Sequence, residues 1–271
     1  MATMSEVPVS GGALTVAQWD GGDPPVLAIH GITGSHLAWA LVAEAHPGRV
    51  IAPDLRGRGD SASLPGPYGL ATHAADCVAV LDAFGIERAT VVGHSMGGFV
   101  AAVVAHRYPD RVGRLVLVDG GAPFDLPADT DVETVLGPAV QRLEMRFASP
   151  GEYRDFWRRH PAFREWNAAI ESYVDYDLTG DPPALRSKVV RDAVRADYLD
   201  ILAGDVPRAA YTALPADTPF LRAERGMFDQ PEALYPDPDR ISLRVTTVPD
   251  TNHYSILLGG HGARAVAAAL V

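Results

Sequence analysis

The sequence predicts an α/β protein with a mostly parallel sheet, because short apolar runs alternate with helical patterns along most of the chain. Helical patterns fill residues 73–84, which Gly85 closes, and residues 96–108, which Pro109 closes. The apolar runs are bounded by Gly, Pro or Asp, as is typical of buried strands, and they lie at residues 26–29, 50–52, 90–92, 115–118, 219–221 and 243–248.

Both ends of the chain extend this pattern. Residues 12–19 alternate more weakly between apolar and polar, which predicts an antiparallel edge hairpin with residues 7–9. The Ala-rich end, residues 263–270, predicts a final helix that packs on the sheet.

A long segment without strand-like runs interrupts the alternation. After Asp119 about 95 residues pass in which aromatic side chains recur, and such a stretch is too long for a structureless loop in a compact domain. We therefore expect a helical cap over residues 122–215, inserted into a core made of residues 1–121 and 216–271. The aromatic side chains would form the core of this cap or line a pocket beneath it.

Composition limits the partners that we expect. The 271 residues include 34 acidic and 23 basic ones, a net charge of −11 that offers nucleic acid no positive field. Cys77 is a single cysteine, which excludes an intrachain disulfide and a cysteine metal cluster. Without an apolar run of 18 residues or the pattern of a signal peptide, we expect a cytoplasmic protein with no membrane partner. The composition does not decide whether the chain forms a homodimer.

The segment Gly93-His-Ser-Met-Gly97 lies between an apolar run and a helical pattern, which is typical of a nucleophile elbow. Such a turn strains the central residue and brings neighbouring chain close, so glycines flank it. Ser95 would then project above the sheet as the nucleophile. The backbone N–H of Met96, at a helix N-terminus, could donate to an oxyanion. A plain strand-to-helix turn with a buried serine is the alternative, and for His94 we expect a structural role.

Two further segments complete this candidate site. The strand at residues 26–29 ends in His30-Gly31 and a glycine-containing loop, where we expect the N–H of Ile32 to be the second oxyanion donor and His30 to hold the loop. His253 follows the last strand on a polar loop, and its neutral imidazole could accept the Ser95 proton at neutral pH. An ordinary turn at Ile32 and a solvated loop histidine are the alternatives.

These motifs together resemble the α/β-hydrolase family. The resemblance covers nearly the whole chain outside the cap and rests on His30-Gly31, residues 54–61 (Asp-Leu-Arg-Gly-Arg-Gly-Asp-Ser), Gly93–Gly97 and Asn252-His-Tyr254. It implies an α/β-hydrolase fold with an eight-stranded sheet, a Ser-acid-His triad, and neither cofactor nor metal. In such proteins residues 54–61 form a structural turn, to which we assign no catalytic role.

The acid of the triad departs from the common family pattern. Family members usually carry an Asp three residues after a Gly at the end of the seventh strand, but Ala223 and Gly226 occupy those two positions here. A minority place the acid after the sixth strand, where this sequence has Asp119 followed by two glycines. Asp119 could orient the Nδ1–H of His253. Glu224 and Asp229, on the seventh-strand loop, remain the alternatives.

The function that we expect is a serine hydrolase, which cleaves an ester or lactone of an apolar small molecule through an acyl-enzyme. Hydrolysis of a carbon–carbon bond in a diketone, or perhydrolysis, would use the same residues. Members that open epoxides or displace halide carry Asp at the elbow, so Ser95 argues against those reactions. A small-molecule receptor with little or no turnover is the non-enzymatic alternative.

Overall fold

The computed structural model describes residues 2–124 and 130–271, and its central feature is an eight-stranded sheet. In chain order the strands are β1 (Thr3–Val9), β2 (Gly12–Trp19), β3 (Gly22–Ile29), β4 (Gly48–Pro53), β5 (Ala89–His94), β6 (Val112–Val118), β7 (Pro219–Ala223) and β8 (Arg244–Val248). Their order across the sheet is β1-β2-β4-β3-β5-β6-β7-β8. Strand β2 pairs antiparallel with β1 and β4, and the other pairs are parallel. The predicted fold class is confirmed.

Helices fill the connections between the strands. The α-helices are α1 (Ala40–Ala45), α2 (Leu70–Ala83), α3 (Met96–Arg107), α4 (Val132–Leu136), α5 (Pro138–Gln141), α6 (Pro150–Arg158), α7 (Ala168–Tyr176), α8 (Arg191–Ala203), α9 (Asp205–Thr212), α10 (Ser255–Leu258) and α11 (Gly260–Ala269). Short 3₁₀ turns lie at His36–Trp39, Gly59–Ser61, Pro109–Arg111, Arg142–Glu144, Pro161–Phe163 and Pro238–Arg240. Within the described residues no helix is long and apolar enough to span a membrane.

The predicted elements of the sheet and its flanking helices are present, with shifted ends. The hairpin of β1 and β2 is observed, and β3 begins at Gly22, four residues before the apolar run. Helix α2 starts at Leu70 rather than at residue 73, and α11 starts at Gly260 rather than at residue 263. These ends are set by backbone hydrogen bonds, which apolar periodicity does not report.

Both faces of the sheet are buried, because successive side chains of a strand point to opposite faces. Along β3, Leu27 and Ile29 pack into one apolar cluster with residues of α2 and α3. Val26 and Ala28 pack into a second cluster with residues of α1 and α11. The continuous apolar runs of the sequence follow from this two-sided burial.

The connection between β6 and β7 is mainly helical. We call its described part, residues 130–215, the insert. A third apolar cluster is formed mainly by the insert, with Phe147, Tyr153, Trp157 and Phe163, and it reaches Leu258 of α10. The insert also holds a hairpin of two-residue strands, Leu178–Thr179 and Arg186–Ser187, where the sequence predicted no strand. Strands of two residues are too short to give a detectable alternation.

Candidate active site

The turn between β5 and α3 has the backbone of a nucleophile elbow. Ser95 adopts φ 55° and ψ −124°, a conformation that a non-glycine residue rarely takes. A Cβ added at Gly93 would lie 1.9 Å from the carbonyl oxygen of Gly97, and one at Gly97 would lie 2.1 Å from that of Ile29. Both positions therefore require glycine, as the motif predicts. Ser95 as a residue is partly exposed and lines a pocket.

The chain after β6 packs directly against this turn. The Ser95 N–H donates to the carbonyl of Val118 at 3.0 Å. A Cβ at Gly120 would lie 2.2 Å from the Ser95 carbonyl oxygen, so only glycine permits this approach. Asp119 lies between Val118 and Gly120 in the chain, and it is thereby placed beside the elbow.

The carboxylate of Asp119 contacts the ring of His253. Asp119 Oδ2 lies 2.7 Å from His253 Nδ1, and Asp119 Oδ1 accepts the N–H of Ala223 at 3.0 Å. The Asp119 side chain is fully buried, and that of His253 is 4% exposed. With the proton on Nδ1, the contact makes Nδ1 the donor and leaves Nε2 able to accept a proton.

The two alternative carboxylates are engaged elsewhere. Glu224 is exposed, and its Oε2 accepts the N–H of Asp250 at 2.8 Å. Asp229 Oδ1 accepts from Arg225 Nε at 2.9 Å and from Asn252 Nδ2 at 3.2 Å. Although burial opposes ionisation, these hydrogen bonds hold the pKa of Asp229 below its usual value. Asp229 thus fastens the loop that precedes His253.

His94, the residue before Ser95, holds the backbone of His253. Its Nε2 lies 2.8 Å from the carbonyl oxygen of His253, and the two rings are 4.6 Å apart. Burial lowers the pKa of His94 well below that of a free histidine, so the ring is neutral and Nε2–H donates to the carbonyl. The structural role expected for His94 is observed, but its partner could not be read from the sequence.

Hydrogen bonds to its carbonyl groups hold the loop after β3 in place. His30 Nε2 accepts the N–H of Leu55 at 2.9 Å, so Nδ1 carries the proton and donates to the Gly31 carbonyl at 2.8 Å. The N–H of Gly34 donates to the same oxygen at 3.0 Å. Burial lowers the pKa of His30 to about 4, which keeps this arrangement near neutral pH. His30 holds the loop, as expected from the sequence.

Two buried arginines donate hydrogen bonds to the next two carbonyls of this loop. Arg58 Nε donates to the Ile32 carbonyl at 2.9 Å, and Arg142 Nη2 donates to the Thr33 carbonyl at 3.4 Å. Ile32 lines the pocket at Ser95, and Met96 is the first residue of α3. Ile32 and Met96 thus lie in the loop and at the helix start where we expect oxyanion donors, and that role stays a prediction. The contributions of Arg58 and Arg142 were missed, because the sequence gives no sign of which loop they reach.

A small pocket, with a cavity volume of about 40 Å³, opens at Ser95 and His253. Its other walls are mostly apolar and include Ile32, Ala38, Leu136, Ala139, Tyr173, Met227, Tyr254, Leu257 and Leu258. Among the described residues, its lining contains neither Lys nor Arg. Burial raises the pKa of Tyr254 to about 12, so that hydroxyl stays protonated. The pocket therefore suits an uncharged, largely apolar ligand.

Comparison with known proteins places the chain in a family. The sequence model of the alpha/beta hydrolase fold matches residues 24–172, which is more than half of the 271 residues. The chain belongs to the α/β-hydrolase fold family. The thioesterase domain from the curacin biosynthetic pathway has the same fold, with a TM-score of 0.77 over 100% of this chain and 99% of that one at 21% identity.

Sequence relatives differ in how much of the chain they share. The putative carbamate hydrolase RutD of Caulobacter segnis is 40% identical over 252 residues, 88% of this chain and 84% of that protein. The 2-hydroxymuconate semialdehyde hydrolase of a Pseudomonas species is 36% identical over about half of each chain. An uncharacterised Mycobacterium tuberculosis protein is 42% identical over 103 residues, so this chain covers 30% of its length. The family and these names support a hydrolase.

Proposed function

We propose that this hydrolase cleaves a carboxylic ester or lactone of an uncharged, apolar small molecule, with Ser95 as nucleophile, His253 as base and Asp119 as acid. The observation that carries the proposal is the 2.7 Å contact between Asp119 and His253 at the pocket that Ser95 lines. A nucleophile and an oriented imidazole are the parts that acyl transfer needs.

The reaction proceeds in two halves. Ser95 Oγ attacks the carbonyl carbon while its proton passes to His253 Nε2, and the oxyanion accepts from the N–H groups of Ile32 and Met96. The bond to the leaving oxygen breaks, and His253 returns the proton to the departing alcohol. In the second half a water molecule gives a proton to His253 and attacks the acyl carbon, after which the acid leaves and Ser95 regains its proton.

The lining of the pocket supports an uncharged substrate. A ligand carboxylate would lose its hydration there without gaining a Lys or Arg partner from the described lining residues. Carbamates form the second candidate class, because the Caulobacter relative that is 40% identical over 88% of this chain is named a putative carbamate hydrolase. Carbamate esters, like carboxylic esters, present an uncharged carbonyl that Ser95 could attack.

A covalent probe tests the nucleophile. We expect a fluorophosphonate to add one equivalent of mass at Ser95, and Ser95→Ala to lose both this label and turnover of a chromogenic short-chain ester. Ser35→Ala is the matched control, because Ser35 is a buried serine of the neighbouring loop and does not line the pocket at Ser95. Labelling at another residue, or a Ser95→Ala variant that is fully active, would refute the assignment.

A substrate panel separates the candidate functions. Matched ester, lactone, carbamate and diketone substrates with the same apolar group should show the highest kcat/KM for the ester or lactone. A preference for the carbamate would move the assignment to the second class, and a preference for the diketone would favour carbon–carbon bond hydrolysis. Folded protein that binds the apolar group but turns over none of the four would be a receptor.

A further inference from the structure

A buried ion pair joins the insert to the loop of Ile32. Arg58 Nη1 lies 2.6 Å from Asp197 Oδ2, and both side chains are fully buried. Asp197 belongs to α8 of the insert, whereas Arg58 follows β4. Burial alone would raise the pKa of Asp197, but the charge of Arg58 and then that of His73 outweigh it and hold the pKa below its usual value. The pair is therefore ionised although it is closed off from water.

Two further donors of Arg58 reach residues of the candidate oxyanion site, and Nη1 also donates to the Arg56 carbonyl at 3.1 Å. Its Nε donates to the Ile32 carbonyl at 2.9 Å, and its Nη2 lies 4.0 Å from the sulfur of Met96. Arg58 thus contacts both residues whose N–H groups are the expected oxyanion donors. A guanidinium donates in fixed directions within one plane, so the contact with Asp197 also sets where Nε points.

Hydrogen bonds to two successive carbonyls restrain the backbone at Ile32. The peptide before Ile32 is held through the Gly31 carbonyl, which accepts from His30 and from the N–H of Gly34. The peptide after it is held through the Ile32 carbonyl by Arg58. Each peptide is planar, with its N–H and C=O on opposite sides. The N–H of Ile32 belongs to the first peptide, so the hold on the Gly31 carbonyl directs it, and the hold of Arg58 on the second peptide restrains the Ile32 backbone against rotation.

We propose that Arg58, oriented by Asp197, is a positioning residue that restrains the backbone carrying the N–H of Ile32, so that helix α8 of the insert supports catalysis from outside the pocket. The inference rests on the proposed function, because it needs an oxyanion at Ser95. Losing one oxyanion donor typically lowers kcat about 10²–10³-fold. A donor that is misdirected rather than removed should lower kcat by about 10–100-fold.

The chain provides a matched control in a second ion pair. Arg56 Nε lies 2.8 Å from Asp76 Oδ2, and the two side chains are 2% and 6% exposed. The other Arg56 donors reach the carbonyls of Pro65 and Ser10, not the Ile32 loop. Asp76→Asn therefore removes a similar buried charge, whose partner Arg56 lies two residues before Arg58, without touching the oxyanion site.

The test compares the two pairs. Asp197→Asn should lower kcat for a chromogenic ester by about 10–100-fold with KM within about threefold of the parent, whereas Asp76→Asn should keep both constants within about threefold. The rate of fluorophosphonate labelling at Ser95 should fall in parallel with kcat, because the phosphoryl oxygen occupies the same oxyanion site. Melting temperatures of the two variants show whether their folding is equally affected.

A second comparison covers the case in which Asp197→Asn does not fold. Arg58→Lys keeps the charge opposite Asp197 but loses the directed fork, so it should lower kcat while Arg56→Lys does not. Equal kcat losses in the two Asp→Asn variants, or an Arg58→Lys variant as active as the parent, would overturn the inference. Failure of the parent to label at Ser95 would instead overturn the proposed function.

Discussion

Asp119 has a backbone conformation that directs its carboxylate. Its φ of 44° lies in the left-handed region, which aspartate tolerates better than most residues. Both carboxylate oxygens then have partners, since Oδ1 accepts from Ala223 and Oδ2 contacts His253. The ring of His253 is consequently held by a side chain that is itself fixed.

Asparagine at this position tests the acid. Asp119→Asn keeps the shape of the side chain but can present an amide N–H to His253 Nδ1, which favours the wrong tautomer of the ring. We expect kcat to fall about 10³–10⁴-fold, as for the acid of a Ser-His-Asp triad. The measurement is the initial rate of ester hydrolysis, with circular dichroism to verify folding.

The two other carboxylates serve as controls for Asp119. Glu224→Gln and Asp229→Asn should lose only a small part of the activity, because neither side chain contacts the ring of His253. If Asp119→Asn were as active as the parent, or if Asp229→Asn caused the larger loss, the acid would have to be reassigned to the loop after β7.

The candidate site could be predicted in part at this scale. Ser95 and His253 stand in local motifs, and the structure brings both to one pocket. The three candidate carboxylates could be separated only with the fold. Even in the structure, Asp119 and Asp229 share a positive φ and side-chain hydrogen bonds. The two aspartates differ in the partner of the carboxylate. Asp229 pairs with an arginine four residues before it, and Asp119 contacts His253.

Among the elements, the seam between the elbow and the chain after β6 has no room for a larger side chain. Gly120→Ala would place a Cβ 2.2 Å from the Ser95 carbonyl oxygen. Either the elbow or Asp119 must then move, so we expect a loss of about 1–3 kcal/mol of stability together with most of the kcat. Chemical denaturation and ester kinetics on the same preparation measure the two effects.

Gly113→Ala, within β6 itself, is the control. A Cβ at Gly113 would meet its nearest neighbour at 3.5 Å, an ordinary contact. This variant should keep the activity of the parent and change its stability by less than about 1 kcal/mol. A Gly120→Ala variant that matched Gly113→Ala in both measurements would show that the seam is looser than described.

The sequence predicted the elements of the sheet better than those of the insert. Strands such as β5 and β6 are buried on both faces, so they stand out as continuous apolar runs. Helices α4 and α5 have five and four residues, which is fewer than an apolar stripe needs to repeat. The division into core and cap therefore rests on segment length and stays a prediction.

Over the whole molecule, buried histidines make stability depend on pH. His30 is fully buried beside Asp54, Arg58 and His73, and its folded pKa is lowered from 6.5 to about 4, chiefly by burial. Between these values the unfolded chain binds a proton that the folded chain excludes. The stability that depends on His30 is therefore complete above about pH 6.5 and is lost as the pH falls towards 4. His94 acts in the same direction.

Unfolding in denaturant at several pH values tests this dependence. The free energy of unfolding should be level from pH 8 to 7 and decline below pH 6.5, with about 3 kcal/mol from His30 alone at the acidic end. His30→Gln should flatten the decline, whereas His261→Gln, at an exposed position of α11, should leave it unchanged. A constant free energy from pH 7.5 to 5 would contradict the neutral state of these histidines.

The arrangement of the whole chain was only partly accessible from sequence. Alternating strands and helices predict a parallel sheet, but they do not reveal which residues of the insert touch the core. Arg58 and Asp197 are far apart along the chain, and each alone resembles a solvated charge. Their pairing follows from where α8 comes to lie, which many weak contacts determine together.

The hydrogen bond from His94 to the backbone of His253 fastens two distant parts of the chain without using any reactive atom. In the proposed mechanism this bond ties the residue next to the nucleophile to the backbone of the base, so it helps to fix the spacing between Ser95 and His253. A Ser95→Cys variant would thus place its thiol in the same pocket as the held imidazole of His253. Altering His94 would loosen both sides of the reaction at once.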